Sequence, residues 1–330
     1  MRKILFKNDK QTYKANLHCH TTISDGTCAP EQIKEMYKAR GYSIVAYTDH
    51  NILKNHSYLN DGEFLALNSC EVNVNQRLLG EPARQAKTYH FNLYSEDPGI
   101  SQTPELMRMD YGDIAAINKY IQDRVAEQFL VCYNHPYWSM QTYEDYSGLK
   151  GCFAMEIYNN GCEVGDGYYG YNPQAYDEML RCGNRLFCVS SDDNHNREAV
   201  EGPDRDSFGG FVMINADSLS YCDIIESLKA GSFYSSQGPE IYEISIDDGG
   251  NGASGAGNEG GEGGKGGKKL RIKCSDVCLI VVYTDTRACF CKKGNPLNEV
   301  EFTLTGGEKY IRVMCRDSAK HDANSSAYWL

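Results

Sequence analysis

"APEQIKEMYKARGYSIVAYTDHN", residues 29–51, changes its period half-way along. The first half has proline near its start, apolar side chains at Ile33, Met36 and Tyr37, basic residues late and Gly41 as a stop, which together spell a helix. The second half, "YSIVAYTDHN", is a near-continuous apolar run that ends in polar residues. Strands buried on both faces of a parallel sheet have this form.

The same form recurs in "FLALNSCEVNV" (64–74), "KTYHFNLY" (87–94), "FLVCYNHPYW" (129–138), "CFAMEIYNN" (152–160) and "RLFCVSSDDNHN" (185–196). Helices are expected around 103–109, 112–128, 173–182 and 219–230. Such alternation over residues 1–238 predicts an α/β domain, built as a β/α barrel or a doubly wound sheet. After "GSFYSSQGPE" (231–240) only short strand-like pieces remain, and residues 239–330 fit a small β-sandwich. Within it, 249–267 is "GGNGASGAGNEGGEGGKGG", read as a flexible insertion without chemistry because such glycine content is costly to order.

The chain has 330 residues and a formal net charge of −12, which argues against a nucleic-acid backbone as main partner. No apolar run reaches the roughly 18 residues of a membrane span, and "MRKILFKNDKQTYK" is too broken for a signal peptide. A cytoplasmic protein is expected. The 14 cysteines are then reduced and mostly structural, as Cys132 and Cys188 inside apolar runs suggest. Neither Cys274/Cys278 nor Cys289/Cys291 combines zinc-knuckle spacing with a matching second half and glycine turns.

Histidine placement carries the functional signal. His18 and His20 in "ANLHCHT" are two apart, so a strand would turn both to one face. His50 ends the second strand, His90 lies within "KTYHFN", His135 closes "FLVCYNH" and His195 follows "LFCVSSDD". Glu71 sits in an apolar run with no basic neighbour, a costly place for a carboxylate unless a cation or hydrogen bonds compensate. With Asp25 and Asp193, six of the eight histidines gather at strands and strand ends, where β/α folds build their sites. A site for several metal ions follows; His56 and His321 are read as surface residues.

The ordered set "LHCH", Asp25, "YTDHN", "CEVN", "YHFN", "CYNHP" and "SDDNH" resembles the PHP family, named for polymerase and histidinol phosphatase domains. The resemblance spans about residues 12–238, while "YIRVMCRDS" and "SSAYWL" are similar to the tail of a carbaryl-hydrolase-like branch. It implies a distorted (β/α)7 barrel holding two to three divalent ions, such as manganese, zinc or iron. It further implies that His18, His20, Glu71 and Asp193 bind one ion and that Glu71 bridges to a second, held by His90 and His135. Asp25, His50 and His195 would hold the third. Asp193 rather than Asp192 fits the DxH spacing, leaving Asp192 as a supporting group.

Clustered dications would turn a bridging water into a hydroxide nucleophile near neutral pH. Their charge favours an anionic small-molecule substrate, and a phosphate ester fits. Arg197 is a candidate phosphate contact or a surface arginine, and Asp49 either orients a ligand or protonates the leaving group. Tyr137 and Trp138 either stack on a flat leaving group or pack internally. Amide or carbamate hydrolysis at the same site is the alternative. The sequence leaves oligomeric state open.

Overall fold

The structure, a computed structural model, describes residues 2–77, 87–197, 202, 204–247 and 267–330. Nearly all of the glycine tract 249–267 lies outside the described residues. The chain divides into two compact units, one of Met1–Asp9 with Gly238–Leu330 and the other of Lys10–Gln237.

Strand β1 (Arg2–Lys7) belongs to the first of these. The larger unit then runs β2 (Gln11–Asn16), α1 (Pro30–Lys38), β3 (Ile44–Tyr47), β4 (Leu65–Asn75), β5 (Thr88–Ser95), α2 (Ile114–Ala126) and β6 (Phe129–Tyr133). It continues with α3 (Tyr143–Tyr146), β7 (Ala154–Asn159), α4 (Asn160–Val164), α5 (Pro173–Arg181), β8 (Phe187–Ser191), β9 (Phe211–Ala216), α6 (Tyr221–Ala230) and β10 (Phe233–Ser236). The chain closes with β11 (Ile241–Asp247), β12 (Lys269–Thr284), β13 (Phe290–Thr303), β14 (Tyr310–Arg316), β15 (Asp322–Asn324) and β16 (Tyr328–Trp329).

Helix α1 forms as its sequence dictates. Pro30 occupies the first turn, the Gln32 side chain accepts the Ala29 N–H (2.8 Å), and Ile33 and Tyr37 are buried. Gly41 takes the left-handed conformation (φ +76°) just beyond it. Strand β3 is buried on both faces: Ile44 and Ala46 join one apolar cluster with Leu65, Cys132 and Val212, while Val45 and Tyr47 join another with Ile33, Tyr37 and Phe64. This is why its sequence shows no polar alternation.

In the larger unit the strands lie in the order β10-β9-β2-β3-β4-β5-β6-β7-β8. The pairs β2/β3, β3/β4, β6/β7 and β7/β8 are parallel, whereas β4/β5, β5/β6, β2/β9 and β9/β10 are antiparallel. A regular (β/α)7 repeat is therefore not what this chain builds; it is a mixed α/β sheet in which β5 reverses direction. A parallel bridge between Cys19 and Asn194 joins the segments that follow β2 and β8. There His20 N–H donates to the Asn194 carbonyl (3.0 Å) and Asp193 N–H to that of His18 (2.9 Å). The chain after β2, β3, β6 and β8 thus emerges on one edge.

The helix expected at 103–109 does not form. The segment bonds sideways instead: the Thr103 side-chain hydroxyl accepts Leu53 N–H (3.1 Å), and the Glu105 carbonyl accepts Tyr120 Oη–H (2.6 Å) and Arg124 (3.4 Å). In the smaller unit every strand pair is antiparallel, and all are linked through the 16-residue β12, which pairs with β11, β13 and β14. The smaller unit is thus built of antiparallel β-pairs among the described residues.

Candidate metal centre

His18 and His20 follow β2, His50 follows β3, Glu71 lies on β4, His90 on β5, His135 follows β6, and Asp193 and His195 follow β8. Together with Asp25 they converge on one cleft. Glu71 is the hub: its carboxylate lies 3.4 Å from His18 Nε2, 3.6 Å from His20 Nε2, 3.0 Å from His50 Nδ1, 2.9 Å from His90 Nδ1 and 3.4 Å from His135 Nε2. Asp193 Oδ1 is 3.1 Å from His18 Nε2 and 3.0 Å from His20 Nε2. Asp25 sits 3.3 Å from His195 Nε2, 3.7 Å from His20 Nδ1 and 3.8 Å from His50 Nε2.

Four overlapping groups have ligand atoms within 4.8 Å of one another: His20/Asp25/His50/His195, His18/Glu71/His135, His18/His20/Asp193 and His50/Glu71/His90. None contains a cysteine, and all fourteen cysteines are free thiols.

The donor chemistry fits divalent cations. Buried Glu156 lies 2.7 Å from His18 Nδ1, so a neutral His18 that donates there would turn its Nε2 lone pair towards His20 Nε2 at 3.1 Å. Lone pairs and carboxylates that close repel one another without positive charge between them. Burial opposes a charge on His50, yet Glu71 and Asp25 push its pKa up to about 9. Burial likewise opposes ionisation of Glu71, yet His90, His18 and His50 hold its carboxyl well below the usual range. The pocket draws in positive charge. His20 Nδ1, by contrast, is buried without a hydrogen-bond partner, and burial lowers that imidazole to about 4. Such an orphaned nitrogen beside Asp25, His50 and His195 suits a coordinating role. Nitrogen and oxygen donors without sulfur suit manganese, iron or zinc.

Around these groups is a cleft of ≈ 420 Å³, also lined by Trp138, Cys162, Asp166, Asp204, Asp206 and Arg197. Trp138 packs edge-on against His135 (5.0 Å between centroids) and His90 (5.7 Å), and its Nε1–H donates to Asp166 (2.8 Å). Tyr137 does not share this cleft; it packs against Tyr169 and lines a different cavity.

The remaining expected residues take the following places. Asp49 lies outside the cleft lining, because its carboxylate accepts the N–H and hydroxyl of Thr21 (2.9 and 2.8 Å) and of Ser24 (3.1 and 2.8 Å). It holds the turn that presents Asp25. Asp192 turns the other way, accepting Tyr37 Oη–H (2.7 Å) and the N–H groups of Phe208, Gly209 and Gly210 (each 2.8 Å). Arg197 reaches the cleft mouth, where its guanidinium pairs with Asp25. His56 is not a surface residue: it is buried with its ring 4.5 Å from that of Tyr47. His321 is half-exposed, 3.4 Å from Asp317.

Three contributors escaped the sequence reading. Glu156 also accepts His135 N–H (3.0 Å) and Asn159 Nδ2–H (3.0 Å); Asn134 donates to Glu71 (2.8 Å); Ser139 Oγ lies 3.2 Å from His135 Nδ1.

No family model matches the chain, and no curated protein matches it by sequence. Solved structures do. A two-domain protein from Bacteroides vulgatus containing a predicted PHP-like metal-dependent phosphoesterase is 15% identical, covering 99% of this chain and 97% of its own, with a TM-score of 0.48. A candidate metal-dependent phosphoesterase from Bifidobacterium adolescentis is 12% identical, over 57% of this chain and 90% of its own, with a TM-score of 0.35. An amidohydrolase from Chromobacterium violaceum, with bound sulfate and no metal, is 14% identical over 55% of this chain and 87% of its own, with a TM-score of 0.32. At such identities the side chains themselves must carry the chemistry.

Proposed function

We propose that this chain is a metal-dependent hydrolase that cleaves a small-molecule phosphate ester. The observation that carries this reading is the hub at Glu71, a buried carboxylate within 3.6 Å of five imidazoles. His18, His20, Glu71 and Asp193 would hold one ion, Glu71 with His90 and His135 a second, and Asp25, His50 and His195 a third. When bound, divalent ions supply an activated water and offset charge on phosphate oxygens. The chain's own groups do the rest. Glu156 fixes the His18 tautomer, Asn134 steadies Glu71, and Trp138 forms a flat wall for the group that leaves. Arg197, once it exchanges Asp25 for substrate, would add a bidentate contact to phosphate.

Amide or carbamate hydrolysis is the second reading, and a specific observation favours it. Arg197 is the one Lys or Arg among the described lining residues and is already paired, while Asp166, Asp204 and Asp206 add negative charge. That lining suits an uncharged substrate, in keeping with the tail's resemblance to the carbaryl-hydrolase-like branch.

The test is hydrolysis of a phosphomonoester, a phosphodiester and an aryl carbamate by manganese-loaded protein, beside Glu71→Ala. Ester cleavage that vanishes in the variant is the expected result. Carbamate turnover alone would retire the phosphoesterase reading, and a chain that binds no manganese would retire both.

A further inference from the structure

The loop from His135 to Gln141 lines two cavities. His135 and Trp138 belong to the metal cleft, whereas Pro136, Tyr137 and Gln141 belong to a separate cavity of ≈ 470 Å³. That volume falls within the roughly 300–1,000 Å³ of small-molecule sites. Its walls are aromatic. Tyr143 and Tyr146, both on α3, stand 6.2 Å apart with ring planes at 82°, so they form two sides of a corner. Tyr143 and Tyr137 are 52% and 53% exposed, whereas Tyr146 is buried, so the open ring faces are those of Tyr143 and Tyr137. The Tyr143 hydroxyl is pinned 3.4 Å from Cys182 Sγ.

Glu178 of α5 completes the lining. Its carboxylate is bonded by the Tyr146 hydroxyl and by Gln174 Nε2–H (3.0 Å), both neutral donors. No Lys, Arg or His is among the described residues of the lining. Neutral donors bring no counter-charge to a carboxylate, and tyrosine faces carry negative potential. Both attract a soft cation and repel an anion.

We infer that this cavity binds an organic ammonium ion, with the open rings of Tyr143 and Tyr137 giving cation–π contact and Glu178 the counter-charge. A neutral polyol would use the tyrosines and amides but leave the charge of Glu178 unanswered. An occupant would rest on Pro136 and Tyr137, the same loop that carries His135.

Calorimetric titration of the full chain with choline, its uncharged isostere 3,3-dimethylbutan-1-ol and sorbitol tests the inference. Choline should bind saturably and about tenfold more tightly than the isostere, and Tyr143→Ala should weaken it about two- to thirtyfold. Glu178→Gln, which preserves the acceptor for Tyr146, should weaken it similarly, with both variants melting as the parent does. Absent choline binding, equal binding of the isostere, preference for sorbitol, or binding undiminished in both variants would each overturn it.

Discussion

Glu71 and Glu156 both lie in apolar strands without a basic neighbour, and both are buried against the histidine cluster. The same signal that marked Glu71 in the sequence was present in "CFAMEIYNN", but only the fold shows that Glu156 faces His18 rather than a partner of its own. If Glu156 sets the His18 tautomer, Glu156→Gln should lower manganese affinity about 10- to 100-fold with secondary structure intact. Calorimetry and circular dichroism read the two effects; unchanged affinity would reduce Glu156 to a packing residue. His56 teaches the reverse lesson. Its place outside the strands and strand ends suggested a surface, yet its ring lies against Tyr47, and burial lowers its pKa to about 4. Below the ordinary imidazole value of about 6.5 the unfolded chain takes up a proton that the folded chain refuses, so stability falls as pH drops from there towards 4. The loss reaches up to about 3 kcal/mol. His56→Phe should flatten that part of the pH profile, measured as urea midpoints; parallel profiles for parent and variant would count against it.

At the level of elements, legibility followed the presence of end signals. Helices α1 and α5 carry proline in their first turn and α6 ends at left-handed Gly231, and all three form where the periodicity placed them. Residues 103–109 have no such marks beyond Pro104; the Glu105 carbonyl finds its partners on α2 and the Thr103 hydroxyl its own at Leu53. The turn between His20 and Gly26 was invisible as an element, because what shapes it is Asp49, from another strand end. Gly26 belongs to this turn: its N–H donates to the Thr21 carbonyl (2.9 Å), and a Cβ there would lie 2.5 Å from the His20 carbonyl oxygen. Gly26→Ala must therefore shift the main chain beside Asp25, at a cost of about 1–3 kcal/mol. The expected consequence is loss of the Asp25, His50 and His195 ion alone. Metal content per chain should drop by one while the Glu71 groups stay filled; a full complement would mean that the turn does not govern Asp25.

At the scale of the molecule, local pattern names a strand but not its sheet. The sequence groups residues 2–7 with the α/β domain of 1–238, and only the pairing of Arg2–Lys7 with β11 assigns them to the C-terminal unit. The antiparallel β5, likewise, breaks a repeat that the alternation of runs had implied, since direction is a property of the connection and not of the run. Convergence was more legible, because parallel strands deliver their following residues to one edge whatever the order of the sheet. That convergence has a thermodynamic consequence. A cluster of three carboxylates and six imidazoles exists only in the folded chain, so ions that fill it bind the native state and not the unfolded one. No helix of the described residues is long and apolar enough to cross a membrane. Free manganese at about 100 times its dissociation constant should stabilise the fold by about 2.7 kcal/mol, and a chelator should remove the gain. Because His18 and His20 follow β2 while Asp193 and His195 follow β8, the ions would tie together the two segments that the Cys19–Asn194 bridge joins. Amide exchange at Cys19, His20 and Asp193 should slow most when manganese is added. Uniform protection across the unit, or none, would show that the metal cluster does not help hold that junction.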